Sequence, residues 1–293
     1  MIVVRVTAQT IALAADSQPG RVVRTLVALG DSTTVGIGDP VAGGRWRGFG
    51  PILQQALGER GQVRLANLSY TGARMADVRR KQLSQALRLR PQAVVLVVGM
   101  NDTLRSDFDP VQLHDDLDAI VGELMAAGAV VVTARYHDHA KVFQLPGALR
   151  RVLRSRIDEL NRITDTVTAR HGSQVLDLDA MPGAYERTAW SADRLHPSEY
   201  GHRMLAQGFA EKLRAGGCAV PHEVVMECSG GVPIKPIHIV LWMIFKGIPW
   251  LFRRGSDLLP YAARIIVRDW IYGGPAPVGS HRPKLRVVRD RRR

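Results

Sequence analysis

The chain has 293 residues, of which 46% are hydrophobic and 23% charged, with a formal net charge of +13 and two cysteines, Cys218 and Cys228. That composition suits a globular core and excludes a wholly disordered chain and a disulfide framework; a reducing compartment is the default, with a single Cys218–Cys228 bridge left open. The charge is uneven: 13 Lys and Arg against 3 Asp and Glu fall in residues 234–293, which carry +10, while residues 1–233 carry only +3.

Residues 1–20 read as a leader with no assigned role. Ala12-Leu13-Ala14 looks like a signal cleavage site. The preceding stretch is not basic, however, and Arg5, Thr7, Gln9 and Thr10 interrupt its apolar run, so a cytoplasmic location is expected over secretion. From Arg21 onward strand and helix signals alternate. Val22 to Leu29 is an apolar strand ending at Gly30. Pro51 opens a helix that closes at Gly61. Val63 to Leu68 is a second strand, and Ala76 to Leu89 a helix stopped by Pro91. Ala93 to Val98 is continuously apolar, as a strand covered on both faces should be. Pro110 opens a helix capped by Asp107 or Asp109 and ended by Gly128. Ala129 to Ala134 is a fourth strand, Ala148 to Arg170 a long helix, and Gln174 to Leu178 a fifth strand. The last helix, Ser198 to Arg214, has Ser198 as its cap.

Five such units predict an α/β fold with a parallel, doubly wound sheet covered by helices on both faces. Ligands of such sheets bind beyond the carboxyl ends of the strands. Ser32 follows the first strand, Gly72 the second and Asn101 the third, so chain order delivers all three to one edge. Ser32 lies in Gly30-Asp31-Ser32, Asn101 in Gly99-Met100-Asn101-Asp102, and His196 in Asp193-Arg194-Leu195-His196-Pro197.

Each residue alone has an ordinary explanation: a helix cap for Ser32, a turn for Gly72 and Asn101, a surface loop for His196. Together and in this order they compose an acyl-transfer site. A serine hydroxyl is a weak nucleophile and needs a base. His196 is the candidate base, and Asp193, three residues earlier, can hold its Nδ1–H while Nε2 faces the serine. The oxyanion formed by attack on a carbonyl needs fixed donors. The backbone N–H groups of Ser32 and Gly72 and the Asn101 amide can supply them. Asp31 and Asp102 are expected to organise loops, and His202 to be structural. The loops Gly36–Gly48 and Tyr136–Gly147 are expected to line the substrate pocket.

These blocks resemble the SGNH hydrolase superfamily, also called GDSL-like lipases and esterases. Gly30-Asp31-Ser32 resembles its first block, with Thr33 where a leucine is usual. Gly72 resembles the second, Gly99-Met100-Asn101-Asp102 the third and Asp193 to Pro197 the fifth. Gly36 to Pro40, Asn101 to Arg105 and Trp190 to Ser198 look like actinobacterial members. The resemblance covers residues 21–214. It implies a three-layer α/β/α flavodoxin-like sandwich, hydrolysis of small-molecule esters or O-acetyl groups, and no metal or other cofactor. A serine ester hydrolase acting on short acyl or lipid esters is the leading expectation. A carbohydrate or cell-wall O-acetylesterase is the rival, and a non-catalytic, membrane-recruited binding module the alternative of another class.

The catalytic domain is thus expected over 21–216, followed by a linker at 217–233. Ile237 to Phe252 is apolar but interrupted by Lys246 and Pro249, shorter than the roughly 20 residues a spanning helix needs. With Leu258 to Tyr272 it reads as an amphipathic helical appendage at 234–272 that docks on the domain and has secondary affinity for an anionic membrane. Residues 273–293 read as a basic, disordered tail. No specific nucleic-acid partner is expected, because no binding motif accompanies the basic residues. Oligomeric state is left open.

Overall fold

The computed structural model describes residues 20–142 and 147–229. The appendage at 234–272, the tail at 273–293 and all but the last residue of the 1–20 leader lie outside the described residues.

Five parallel strands form one sheet: β1 (Thr25–Gly30), β2 (Arg64–Asn67), β3 (Ala93–Val97), β4 (Val130–Arg135) and β5 (Gln174–Asp177), in the order 2-1-3-4-5. Register is set from the centre outward, with Val27 opposite both Ala66 of β2 and Val94 of β3, and Val131 opposite Val94 on the other side. Every residue of β3, Ala-Val-Val-Leu-Val, is buried, which explains its lack of polar alternation. Helices α1 (Phe49–Leu57) and α5 (Glu199–Ala215) pack together on one face, where Phe49 and Phe209 meet with ring centroids 5.1 Å apart. The other face carries α2 (Met75–Asp77, Val78–Gln82 and Leu83–Arg88), α3 (Pro110–Ala126) and α4 (Gly147–His171). The expected three-layer α/β/α sandwich is the architecture found.

Local chemistry accounts for the helix ends. Asp109 accepts from the N–H groups of Val111 and Gln112, with Pro110 in the first turn, so Asp109 and not Asp107 is the cap. Ser198 accepts from Gly201 N at the start of α5. The middle of α2 departs from the expected α-helix: Val78–Gln82 is a π-turn. Five short pieces had no periodic signal: the single turns Ser32–Val35, Met100–Thr103 and His139–Val142, the 3-10 turn Arg187–Ala189, and a two-stranded ribbon pairing Pro40–Val41 with Arg45–Trp46.

Residues 217–229, expected as part of a linker, are held against the domain. Arg21 and Cys218 form a bridge, with Arg21 N–H donating to Gly217 O (2.8 Å) and Ala219 N–H to Arg21 O (2.9 Å). Cys218 is buried and Val220 and Val224 pack on the core. Ser229 closes the run, donating through its N–H to Glu199 (2.6 Å) and accepting from Arg47 and Arg203. Both cysteines are free thiols.

Candidate active site

The site forms where β1 and β3, neighbours in space, send their chains in opposite directions around the sheet. β1 ends at Gly30, whose φ of +139° and proximity to Val97 O exclude a side chain. Gln82, carried on the π-turn of α2, pairs with both backbone groups of Gly30: Gly30 N–H donates to Gln82 Oε1 and Gln82 Nε2 donates to Gly30 O, each at 2.9 Å. The strand is thereby finished with its polar groups satisfied, and the chain turns into Asp31. The Asp31 carboxylate caps the Ser32–Val35 turn by accepting from Thr33 N at 3.0 Å.

On the far side of the sheet, a tight loop follows β5. Trp190 and Pro197 pair across it, Ser191 N–H donates to His196 O, and Arg194 takes a left-handed φ of +53°. The loop is organised around one carboxylate. Asp193 Oδ1 accepts from Ser191 Oγ (2.7 Å), Leu195 N (2.9 Å) and His196 N (3.0 Å), while Oδ2 lies 2.7 Å from His196 Nδ1. Burial alone would raise the Asp193 pKa. The hydrogen bond and charge of His196 outweigh it, aided by Ser191 Oγ and the His196 N–H, and hold the carboxyl at about 2. The other imidazole nitrogen, Nε2, stands 2.9 Å from Ser32 Oγ. A serine, a histidine and an aspartate separated by up to 164 positions thus form one continuous hydrogen-bonded line.

The remaining expected residues lie beside this line. Asn101 follows β3 in the Met100–Thr103 turn, and its amide nitrogen donates to Asp31 Oδ2 (3.3 Å) and Ala73 O (3.1 Å). The second bond ties it to the loop of Gly72, which takes a φ of +82° and has open space where a Cβ would stand. Asp102 organises its loop as expected, accepting from Met75 N–H (3.1 Å) and Arg74 Nε (3.0 Å); burial raises its pKa, against the pull of these donors. His202 is buried and hydrogen-bonds Ile37 O at 3.0 Å, a structural role.

A cavity of about 70 Å³ lies next to the line: Thr33, beside Ser32, and Leu195 and Pro197, which flank His196, form part of its wall, while Ser32, Asp193 and His196 do not. Val97, Met100, Leu178, Met204 and Leu205 make its lining largely apolar. Of the two loops expected to line the pocket, the second contributes Tyr136, His137 and His139; none of residues 36–48 borders this cavity. Its other rim comes from Met181, Ala184 and Ala189, which carried no sequence signal, and from Trp190. His137 Nε2 and His139 Nδ1 are 2.7 Å apart, and burial pushes both imidazole pKa values down, that of His137 to about 4. Neutral imidazoles suit an apolar wall. Gln82 was also missed, because a lone glutamine on a helix gives no hint of its target.

Comparison with known proteins bears on the fold and the family. Residues 28–204 match the model of the GDSL-like Lipase/Acylhydrolase family. An acetylxylan esterase from Geobacillus stearothermophilus is 23% identical over 177 residues, 55% of this chain and 77% of that protein. Among solved structures, LAE5, an alpha/beta hydrolase enzyme from the metagenome of Lake Arreo, Spain, is 24% identical with a TM-score of 0.52, covering 67% of this chain and 95% of that one. TesA is 22% identical with a TM-score of 0.53, covering 66% and 99%. These structures share the fold; the family match, which spans more than half the chain and includes both ends of the Ser32–His196 line, is the more specific finding. The chain belongs to the GDSL-like lipase/acylhydrolase family and is a carboxylic ester hydrolase.

Proposed function

We propose that the chain hydrolyses esters through an acyl-enzyme on Ser32. The observation that carries this reading is the unbroken line from Ser32 Oγ through His196 to Asp193, with contacts of 2.9 and 2.7 Å. His196 Nε2 takes the hydroxyl proton as Ser32 Oγ bonds to the carbonyl carbon, and the carbonyl electron pair moves to oxygen. That oxyanion is received by the N–H groups of Ser32 and Gly72 and by Asn101 Nδ2. The tetrahedral species collapses, the alcohol leaves with the proton from His196, and the acyl group stays on Ser32. Water then attacks, His196 again acting as base, and the acid is released. Asp193 holds the imidazole in the tautomer that leaves Nε2 free to accept.

The apolar cavity beside Thr33 and Met100 supports esters of short acyl chains or lipids. A second reading, an O-acetylesterase acting on carbohydrate, is supported by the similarity to the acetylxylan esterase. Hydrolysis rates on p-nitrophenyl esters of two to eight carbons and on acetylated xylan separate the two. Ser32→Ala is expected to lower the rate at least ~1000-fold on every substrate used; equal rates in the two proteins would sink the mechanism. Affinity of residues 234–272 for anionic membranes belongs to the same reading, supported by the charge of +10 over residues 234–293, of which 234–272 carry +4. Full-length protein that ignored anionic liposomes at low salt would remove that part.

A further inference from the structure

Asp31 sits between the two halves of the site. Its side chain is buried, and both of its oxygens are engaged, one by Thr33 N–H at 3.0 Å and the other by Asn101 Nδ2 at 3.3 Å. Capping a single helical turn does not require this residue. Serine or asparagine caps equally well and buries no ionisable group. Burial pushes the Asp31 carboxyl up to about 7, against the Thr33 N–H and the charge of His196 that favour its ionised form; Asp102 adds to the rise. A carboxylate kept in so unfavourable a place needs a task that an amide or hydroxyl cannot perform. Accepting through both oxygens is such a task.

The second acceptor bond decides where Asn101 points. One amide hydrogen goes to Ala73 O and the other to Asp31 Oδ2. Turning the amide over would set its carbonyl oxygen against two acceptors, so only one orientation is favourable. We propose that Asp31 is a positioning residue whose carboxylate holds the NH2 of Asn101 turned toward the Ser32 turn. This rests on the reading of Asn101 as an oxyanion donor. At 3.3 Å the Asp31 contact is long, so this is the hydrogen that Asn101 would share with a developing oxyanion. One residue therefore sets both the turn that presents the nucleophile and the donor that receives the charge.

Asp31→Asn isolates the second duty. Its side-chain oxygen keeps the cap on Thr33, while its NH2 faces the Asn101 NH2, donor against donor, and turns Asn101 away. In the full chain, Asn101→Ala is expected to lower kcat about 100-fold, the usual loss for one oxyanion donor. Asp31→Asn is expected to lower it roughly tenfold with KM changed less than about twofold. The deciding measurement is the double variant. If Asp31 acts through Asn101, adding Asp31→Asn to Asn101→Ala costs less than about twofold further. Losses that multiply, or Asp31→Asn at the wild-type rate, overturn the inference and leave the acyl-enzyme mechanism standing. Asn101→Ala at the wild-type rate instead removes Asn101 as a donor, a distinct failure of the reading beneath. Asp31→Ser, which also keeps the cap but lacks the second acceptor, runs the same cycle should the asparagine variant not fold.

Discussion

Asp193 accepts three hydrogen bonds on Oδ1 and faces His196 Nδ1 with Oδ2. An asparagine there can keep the three bonds on its carbonyl oxygen, which fixes its orientation and points its NH2 at His196 Nδ1. The imidazole would then present Nδ1 as acceptor and carry its hydrogen on Nε2, toward Ser32, where it cannot accept the hydroxyl proton. Asp193→Asn is therefore expected to fold normally and to lower kcat by on the order of 10⁴-fold. Steady-state kinetics beside a thermal melt checks this, and a loss under tenfold would contradict the assigned role. The same residues mark what a sequence can disclose. Ser32, Asn101 and His196 were legible because each sits at a strand end or in a short loop inside a local block, Gly30-Asp31-Ser32, Gly99 to Asp102 or Asp193 to Pro197. The companions Asp31 to Asn101 and Gln82 to Gly30 were not, since they join positions 70 and 52 apart. The rim from Met181 to Ala189 has neither period nor motif.

At the scale of elements, all five strands and all five long helices were readable from apolar runs, caps and breakers, with ends displaced by a few residues. The π-turn in α2 was not, because one extra residue in a turn leaves the apolar pattern nearly unchanged. It aims Gln82 at the end of β1, so α2 serves the site while packing as an ordinary helix. Helix α5 serves it more directly. Gly201, in its first turn, lies where a Cβ would stand 2.1 Å from Ala189 O and 2.9 Å from Pro197 Cβ. Helix propensity favours Gly201→Ala by about 1 kcal/mol. The clash with backbone outweighs it, by a typical overpacking cost of about 1–3 kcal/mol, and pushes α5 off the loop that holds Asp193 and His196. The variant is expected to melt lower by roughly 2–5 °C and to lose kcat. A higher melting temperature would show that the loop relaxes freely.

For the molecule as a whole, buried imidazoles set the response to acid. Burial holds His137 and His202 to about 4, so the unfolded chain binds protons that the folded chain refuses between about pH 6.5 and 4. Their stabilisation is full above that window and is lost as pH falls through it, on the order of 3 kcal/mol each. His139 is shifted the same way. Asp31 opposes them: with its carboxyl raised to about 7, the folded chain keeps a proton that the unfolded chain releases, so its contribution weakens as pH rises from about 4 to 7. Asp102, raised by burial as well, acts in the same direction as Asp31. Three imidazoles outweigh two carboxyls, and the melting temperature is expected to drop from pH 7 to pH 4.5. Calorimetry across that range tests it; a rise on acidification would reverse the assignment.

The strap at residues 217–229 begins beside Arg21, just ahead of β1, and ends at Ser229, bound to Glu199 three residues after His196. It runs back along α5, whose 17 residues span about 25 Å. Gly20 is thus at the pole opposite the site, and Ser229 at the site's own pole. An attachment at Gly20 would therefore leave the pole that carries Ser32 facing away from the anchor, and one at Ser229 would bring that pole next to it.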